Sequence, residues 1–105
     1  GRIEHAFQVR PDLCAPENKT NPRSYLAHGD TPARFYVDSL VHDAGVLRLL
    51  LKLFGAQRIA LGSDYPFPLG EAHPGELIES MKELSSEEKA QLLSESAREF
   101  LGLNR

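Results

Sequence analysis

The sequence predicts an α/β fold in which two parallel strands alternate with covering helices. Three observations predict this class: an aromatic and β-branched run at residues 35–41, an amphipathic run at 44–54 and a nearly all-apolar run at 58–62. A strand, a crossover helix and a second strand in this order form a parallel unit. Because two strands can neither close a barrel nor complete a doubly wound sheet, we expect residues 1–105 to be an incomplete part of a larger α/β domain.

The region before the first strand is mostly irregular in composition. Residues 1–9 form a short helical or extended segment that ends before Pro11, since the residue preceding a proline avoids the helical region. Residues 11–34 are rich in proline, asparagine and glycine, with a turn of helix plausible near 22–26. Such a long irregular stretch is often a functional loop.

The strand–helix–strand unit follows from local signals. The run FYVDSLV at residues 35–41 is typical of a strand, and Asp43 is a good N-cap for a helix over 44–54. Gly55 stands where a helix commonly ends. The run RIALG at residues 58–62 predicts a strand buried on both faces, as in a parallel sheet. The predicted apolar helix face consists of Leu47, Leu50, Leu51 and Phe54.

Two helices are predicted after the second strand. Residues 65–70 turn sharply because of two prolines, and residues 74–84 are helical in pattern. Ser85 and Glu88 have the spacing of a capping box and open a last helix that ends at Gly102. The apolar face predicted for that helix consists of Ala90, Leu93, Ala97, Phe100 and Leu101.

Composition excludes several functional classes. The chain has 105 residues, a mass of 11.7 kDa, a net charge of −3, 41% hydrophobic and 26% charged residues. It is too apolar for a disordered protein and has no run near the roughly 20 apolar residues of a membrane span. A pI near 5.8 argues against nucleic-acid binding. Cys14 is the single cysteine, so we expect no disulfide framework and a reducing, cytosolic location.

The strongest candidate for chemistry is Asp64, which directly follows the second predicted strand. Active sites of α/β folds lie at the carboxyl ends of their strands. A carboxylate there can bind a metal, act as a general base or do both. The structural alternative is that Asp64 only stabilises the turn by accepting hydrogen bonds from backbone N–H groups.

Other polar residues are weaker candidates. Arg2 and Arg10 could bind an anionic substrate through bidentate contacts, although solvated surface arginines are the commoner case. Asp38, in the middle of the first strand, is expected to be a satisfied core or edge carboxylate. The histidines lack metal-ligand spacing and are expected at surfaces and turns; they are His5, His28, His42 and His73.

The run GSDYPFPLG at residues 62–70 strongly resembles the last barrel strand of the amidohydrolase superfamily. Together with RPDLC at 10–14, FYVDSLVHD at 35–43 and REFLGL at 98–103, it resembles the zinc-dependent decarboxylases of the kynurenine branch of tryptophan breakdown. This resemblance implies the C-terminal part of a (β/α)₈ TIM barrel, with about two of its strands. It also implies non-oxidative loss of CO₂ from a small carboxylated substrate, which limits quinolinate formation.

The resemblance also assigns roles to individual residues. It implies that Asp64 is both catalytic and the last of the zinc ligands, the others lying outside this chain. It implies that Arg2 and Arg10 bind substrate carboxylates, with Arg2 reaching the neighbouring site of a homodimer, and that Phe67 lines the pocket. Because the chain lacks the HxH pair and further histidine ligands, we expect residues 1–105 alone to be inactive.

Two further positions depart from the resembled pattern. Residues 27–34 form an insertion, which we expect to be a surface loop, and Ser96 replaces a frequent asparagine. Three alternatives remain open. The chain could belong to another decarboxylase or hydrolase of the superfamily, or be a non-catalytic truncated isoform that pairs with full-length subunits. It could also be an α/β interaction module in which the motif is coincidental.

Overall fold

The computed structural model describes residues 1–13 and 20–103. Cys14, which the sequence predicts to be a buried or semi-buried thiol, lies outside the described residues. Two 3₁₀ turns, Pro22–Tyr25 and Ala56–Arg58, accompany the regular elements. The helices and strands are α1 (Arg2–Val9), β1 (Val37–Asp38), α2 (Ala44–Phe54), β2 (Ile59–Ala60), α3 (Glu76–Ser80), α4 (Ser86–Ala90), a π-helical turn (Gln91–Glu95) and α5 (Ser96–Phe100). Within the described ranges, no helix has the length and hydropathy that crossing a bilayer requires.

The two strands pair in parallel, which confirms the predicted α/β class. Val37 lies opposite Ile59 and Asp38 opposite Ala60. Both strands are shorter than the predicted runs 35–41 and 58–62. The reasons are local: the Asp38 carboxylate accepts the Leu40 N–H at 2.9 Å, and Arg58 belongs to a 3₁₀ turn.

Helix α2 has the predicted bounds and the predicted ends. The Asp43 side chain accepts the Val46 N–H at 2.9 Å, as an N-cap does. Gly55 ends the helix with φ of 82°, and its N–H donates to the Leu51 carbonyl at 2.9 Å. Leu47 is completely buried, which confirms the side of α2 that faces the sheet.

Residues 27–34 are more than the expected surface loop. The tip is exposed and is closed by a bridge between His28 and Thr31. On either side of it, the N–H groups of Ala27 and Ala33 donate to the carbonyls of Leu53 and Phe54, at 2.7 and 2.9 Å. These carbonyls end α2 and have no partner within the helix. The segment therefore caps the C-terminus of α2.

The core lies where the sheet meets the helices. Its buried side chains are Leu47, Ile59, Ile78, Met81 and Leu92. These come from α2, β2, the α3 region and the π-helical turn, so one apolar cluster joins elements that are distant in sequence. Helix α3 is shorter than the predicted 74–84, because the backbone is already extended at Met81, with φ of −81° and ψ of 96°.

The last helix begins as predicted but presents a different face. Both hydrogen bonds of the capping box between Ser85 and Glu88 are present. The fully buried residues are Leu92 and Ser96, whereas Ala90 is exposed and Phe100 and Leu101 are each 64% exposed. The predicted face was therefore wrong at Ala90, Phe100 and Leu101, whereas Leu93 packs against the core as predicted. The π-helical turn widens the hydrogen-bond spacing to five residues, which shifts the face that follows it.

Ser96 is a polar group in the core with a structural role. Its hydroxyl donates to the Ala56 carbonyl at 2.6 Å and accepts from the Gln91 side-chain amide at 3.0 Å. We predict that Ser96→Ala lowers the free energy of unfolding of the intact protein by about 1–3 kcal/mol, because it leaves two polar groups without this partner. Urea titration measures the change. The exposed Ser94→Ala is the control, and equal effects of the two substitutions would contradict the prediction.

Candidate functional site

The parallel strands bring two carboxylates to one edge of the sheet. Strand β1 ends at Asp38, and Asp64 follows the end of β2 by four residues. Parallel strands present their carboxyl ends at the same edge, which is the usual location of α/β active sites. The backbone at Gly62 lies close to the Asp38 side chain, because a Cβ added at residue 62 would lie 2.9 Å from the Asp38 Cβ.

The segment from Asp64 to Gly70, here called the Asp64 loop, consists of two successive turns. The Phe67 N–H donates to the Asp64 carbonyl at 2.9 Å, and the Gly70 N–H donates to the Phe67 carbonyl at 3.0 Å. The base of the loop is closed by a bond from the Glu71 N–H to the Ser63 carbonyl at 2.8 Å. The peptide bond between Tyr65 and Pro66 is cis. Backbone hydrogen bonds thus form both turns of the loop and close its base.

Asp64 itself has an unusual backbone conformation and an available side chain. Its φ is 57°, in the left-handed region that residues other than glycine seldom adopt. Across residues 1–13 and 20–103, its exposed carboxylate forms no hydrogen bond or ion pair. The turn is instead held by the Asp64 carbonyl and by the Ser63 hydroxyl, which accepts the Tyr65 N–H at 3.3 Å. The turn-stabilising alternative for this carboxylate is therefore wrong.

The donor set tests whether these residues fit a metal. A carboxylate oxygen is a suitable zinc ligand, but a catalytic zinc needs about three protein ligands. In the part of the chain that the structure describes, no three His, Cys, Asp or Glu side chains form a group that could hold a metal ion. Asp64 thus supplies one carboxylate of the kind that zinc binds, and the described residues do not by themselves provide the set of three.

The two candidate arginines lie at opposite ends of α1. Arg10 binds the neighbouring Asp12 carboxylate through two bonds, Nε–Oδ1 at 3.0 Å and Nη2–Oδ2 at 2.7 Å. This hydrogen bonding lowers the pKa of the Asp12 carboxyl from its ordinary value. Arg2 is exposed, and its guanidinium has no polar partner among the described residues. Their predicted roles toward a substrate stay predictions.

The Asp64 loop also carries an exposed apolar surface. Phe67, the predicted pocket residue, is 64% exposed on the same loop as Asp64. Tyr65 and Leu69 are 86% and 82% exposed. Large apolar side chains exposed together commonly mark a binding or contact surface. The structure thus brings Asp64 and Phe67 onto one loop, while the role of Phe67 remains a prediction.

Two residues of the β1–α2 connection, for which the sequence predicted no functional role, form hydrogen bonds with this region. The hydroxyl of Ser39, which is 4% exposed, accepts the Gly62 N–H at 3.3 Å. The Nε2 atom of His42 lies 2.8 Å from the Leu69 carbonyl oxygen. His42 was expected to be a surface or turn residue, and it is exposed, but its ring is bonded to the Asp64 loop. The sequence feature that could have identified His42 is its position shortly after β1, at the edge of the sheet where Asp64 lies.

The structure defines an α/β protein with two parallel strands and covering helices. Its candidate site is the exposed carboxylate at the carboxyl edge of the strands. A family model described as "Amidohydrolase" matches residues 4–103, and the chain belongs to this family. The resemblance in the motifs is thereby confirmed.

Two curated relatives share a more particular name. The chain is 55% identical over 104 residues to the 2-amino-3-carboxymuconate-6-semialdehyde decarboxylase of Dictyostelium discoideum, covering 99% of this chain and 27% of the relative. It is 39% identical over 104 residues to the protein of that name from Caenorhabditis elegans, covering 99% of this chain and 24% of the relative. The chain therefore spans about a quarter of the length of the curated relatives it matches.

Proposed function

We propose that this chain is part of a metal-dependent decarboxylase that acts on 2-amino-3-carboxymuconate 6-semialdehyde. The reaction would place it in tryptophan breakdown through the kynurenine branch, in the cytosol, where it limits quinolinate formation. The observation that carries the proposal is the carboxylate of Asp64, which is exposed at the carboxyl edge of the parallel strands without a hydrogen bond in the described structure. The similarity to two decarboxylases of this name supports it.

The proposed architecture is a (β/α)₈ barrel, of which this chain forms the C-terminal portion. The parallel pair with its crossover helix α2 supports this proposal, because a barrel of this kind is built from such strand–helix–strand units. In this arrangement β2 is the last barrel strand and the Asp64 loop lies at the active-site face. The remaining strands and the other metal ligands come from the part of the protein outside residues 1–105.

The proposed cofactor is zinc, with Asp64 as one ligand. When bound, zinc supplies a water whose pKa is lowered to near 7. Asp64 would contribute one carboxylate oxygen to the metal, and its second oxygen would accept a proton from water during attack on the conjugated substrate. A carboxylate without competing hydrogen bonds suits both tasks, since neither oxygen is already engaged within the described residues.

The proposed substrate is anionic, so cationic side chains are needed to hold its carboxylates. Arg2 and Arg10 would bind them, orienting the bond that releases CO₂ and offsetting negative charge. The bidentate contact of Arg10 with the Asp12 carboxylate supports this role, because a substrate carboxylate would take the place of Asp12 in the same geometry. We further propose a homodimer in which Arg2 reaches the partner's site, with Phe67 as an apolar wall beside the substrate.

The test compares the intact protein with residues 1–105 alone. Decarboxylation is followed by loss of the semialdehyde's absorbance, and zinc is measured after exhaustive dialysis. We expect turnover and about one tightly held zinc per intact chain, because such a site needs three or more protein ligands. Residues 1–105 should show neither. Tight zinc with turnover in the short chain would contradict the incomplete site, and a zinc-loaded intact protein without turnover would contradict the decarboxylase assignment.

A further inference from the structure

Besides the bond from the Tyr65 N–H to the Ser63 hydroxyl, two hydrogen bonds hold the Asp64 loop in place. The first is at its base, where the Glu71 N–H donates to the Ser63 carbonyl. The second is at the far limb, where the His42 ring meets the Leu69 carbonyl at 2.8 Å. Because Leu69 is 82% exposed, its side chain contributes little packing to hold this limb. The His42 bond therefore links this limb of the loop to the β1–α2 connection, with little packing beside it.

His42 is well placed to act as an anchor. It directly precedes Asp43, whose side chain caps α2, and so its backbone is fixed to the start of a helix. Its φ of 54° lies in the left-handed region. A residue other than glycine holds such a conformation only where its surroundings enforce it, and these conformations cluster at functional sites. The ring is thus held by a backbone segment that adjoins the N-terminus of α2.

The bond at Leu69 is connected to Asp64 through the backbone. Gly70, the next residue, donates to the Phe67 carbonyl, and Phe67 in turn donates to the Asp64 carbonyl. Loss of the tie at Leu69 would loosen both turns in sequence. The backbone torsion of Asp64, and with it the direction of the carboxylate, depends on the second of these bonds.

The donor in this contact is the histidine. A carbonyl oxygen only accepts, so Nε2 must carry the proton. Neutral imidazole with the proton on Nε2 and the imidazolium ion both meet this condition. Glutamine can present an amide N–H at a similar distance from the backbone, whereas leucine cannot donate at all.

We propose that His42 is a positioning residue of the active site, which orients Asp64 by holding the Asp64 loop through the Leu69 carbonyl. This inference rests on the proposed function, because it assigns His42 a part in placing the catalytic carboxylate. His42 does not touch the substrate in this proposal. Its contribution is the rigidity of the loop that carries Asp64.

The experiment uses His42→Leu and His42→Gln in the intact protein. His42→Leu should lower kcat by about 10- to 100-fold, the cost of a misplaced reacting group, with KM changed less than about threefold. Amide hydrogen exchange in residues 64–71 should accelerate about tenfold in the same variant, without a change in exchange over α2. His42→Gln should restore both quantities.

The matched control is His73→Leu. His73 lines the same open cleft of about 470 Å³ as His42, and its ring forms no hydrogen bond with the described residues. It should leave kcat and exchange unchanged. Unchanged exchange over 64–71 in His42→Leu, or failure of His42→Gln to restore it, would overturn the proposal. If the wild-type protein has no decarboxylase activity, the proposed function fails, while the exchange measurements still decide whether His42 holds the loop.

Discussion

Asp64→Asn should lower kcat/KM of the proposed decarboxylase, measured on the intact protein, by more than about 100-fold, since altering groups that only support a metal ligand already costs 10- to 100-fold. Asparagine keeps the size of the side chain and tolerates the left-handed φ of 57° at this position. The substitution therefore removes the charge and basicity of the carboxylate while preserving the turn. Zinc content after dialysis and steady-state kinetics measure the effect.

The matched control for this prediction is Asp30→Asn. Asp30 is an exposed aspartate in the tip closed by His28 and Thr31, within residues 27–34. The Asp30→Asn substitution makes the same chemical change at a position with no proposed role, so activity and zinc content should be unchanged. An Asp64→Asn protein with full zinc content and near-normal turnover would show that the carboxylate is neither ligand nor base.

Gly70→Ala should lower kcat/KM by a comparable factor, because of steric overlap alone. A Cβ at residue 70 would overlap the Ser63 carbonyl oxygen and lie 3.1 Å from the Asp64 carbonyl carbon and oxygen. These are backbone atoms at the closed base of the Asp64 loop and cannot move aside without opening it. We expect a decrease in the free energy of unfolding of about 1–3 kcal/mol, as for overpacking. We expect kcat/KM to fall about 100-fold, since Asp64 is displaced.

Gly29→Ala separates this steric effect from a loss of backbone freedom. Gly29 has a positive φ of 58°, but an added Cβ meets nothing within 4 Å. Alanine there should cost about 1–2 kcal/mol of stability for its left-handed conformation and leave kcat/KM unchanged. Chemical denaturation and kinetics on both variants make the comparison. Equal kcat/KM values for the two variants would contradict the predicted displacement of Asp64 in Gly70→Ala.

Elements governed by neighbouring residues could be predicted in detail. Helix α2 has the expected bounds because Asp43 and Gly55 set its ends through bonds spanning only three or four residues. The capping box of Ser85 and Glu88 is confirmed for the same reason. The parallel pairing of the strands followed from their order, but their length did not, since it depends on side-chain bonds such as that of Asp38 to Leu40.

The position of Asp64 after a buried strand was readable from the sequence, and so were the motifs that place the chain in the amidohydrolase family. The sequence could not show that its carboxylate is without a hydrogen bond in the described structure, or that His42 bonds to Leu69. His42 and Leu69 are separated by 27 positions along the chain. Local sequence patterns do not predict contacts between residues so far apart.

The amino-acid sequence by itself thus determined the local structure: the ends of α2, the capping box and a carboxylate behind a buried strand. Tertiary structure alone decided the buried face of the last helix, where a π-helical turn brings Leu92 and Ser96 inward, and the capping of α2 by residues 27–34. Local elements form from bonds between near neighbours. Which of several possible faces is buried, and which distant carbonyl a ring reaches, depends on how the elements pack together.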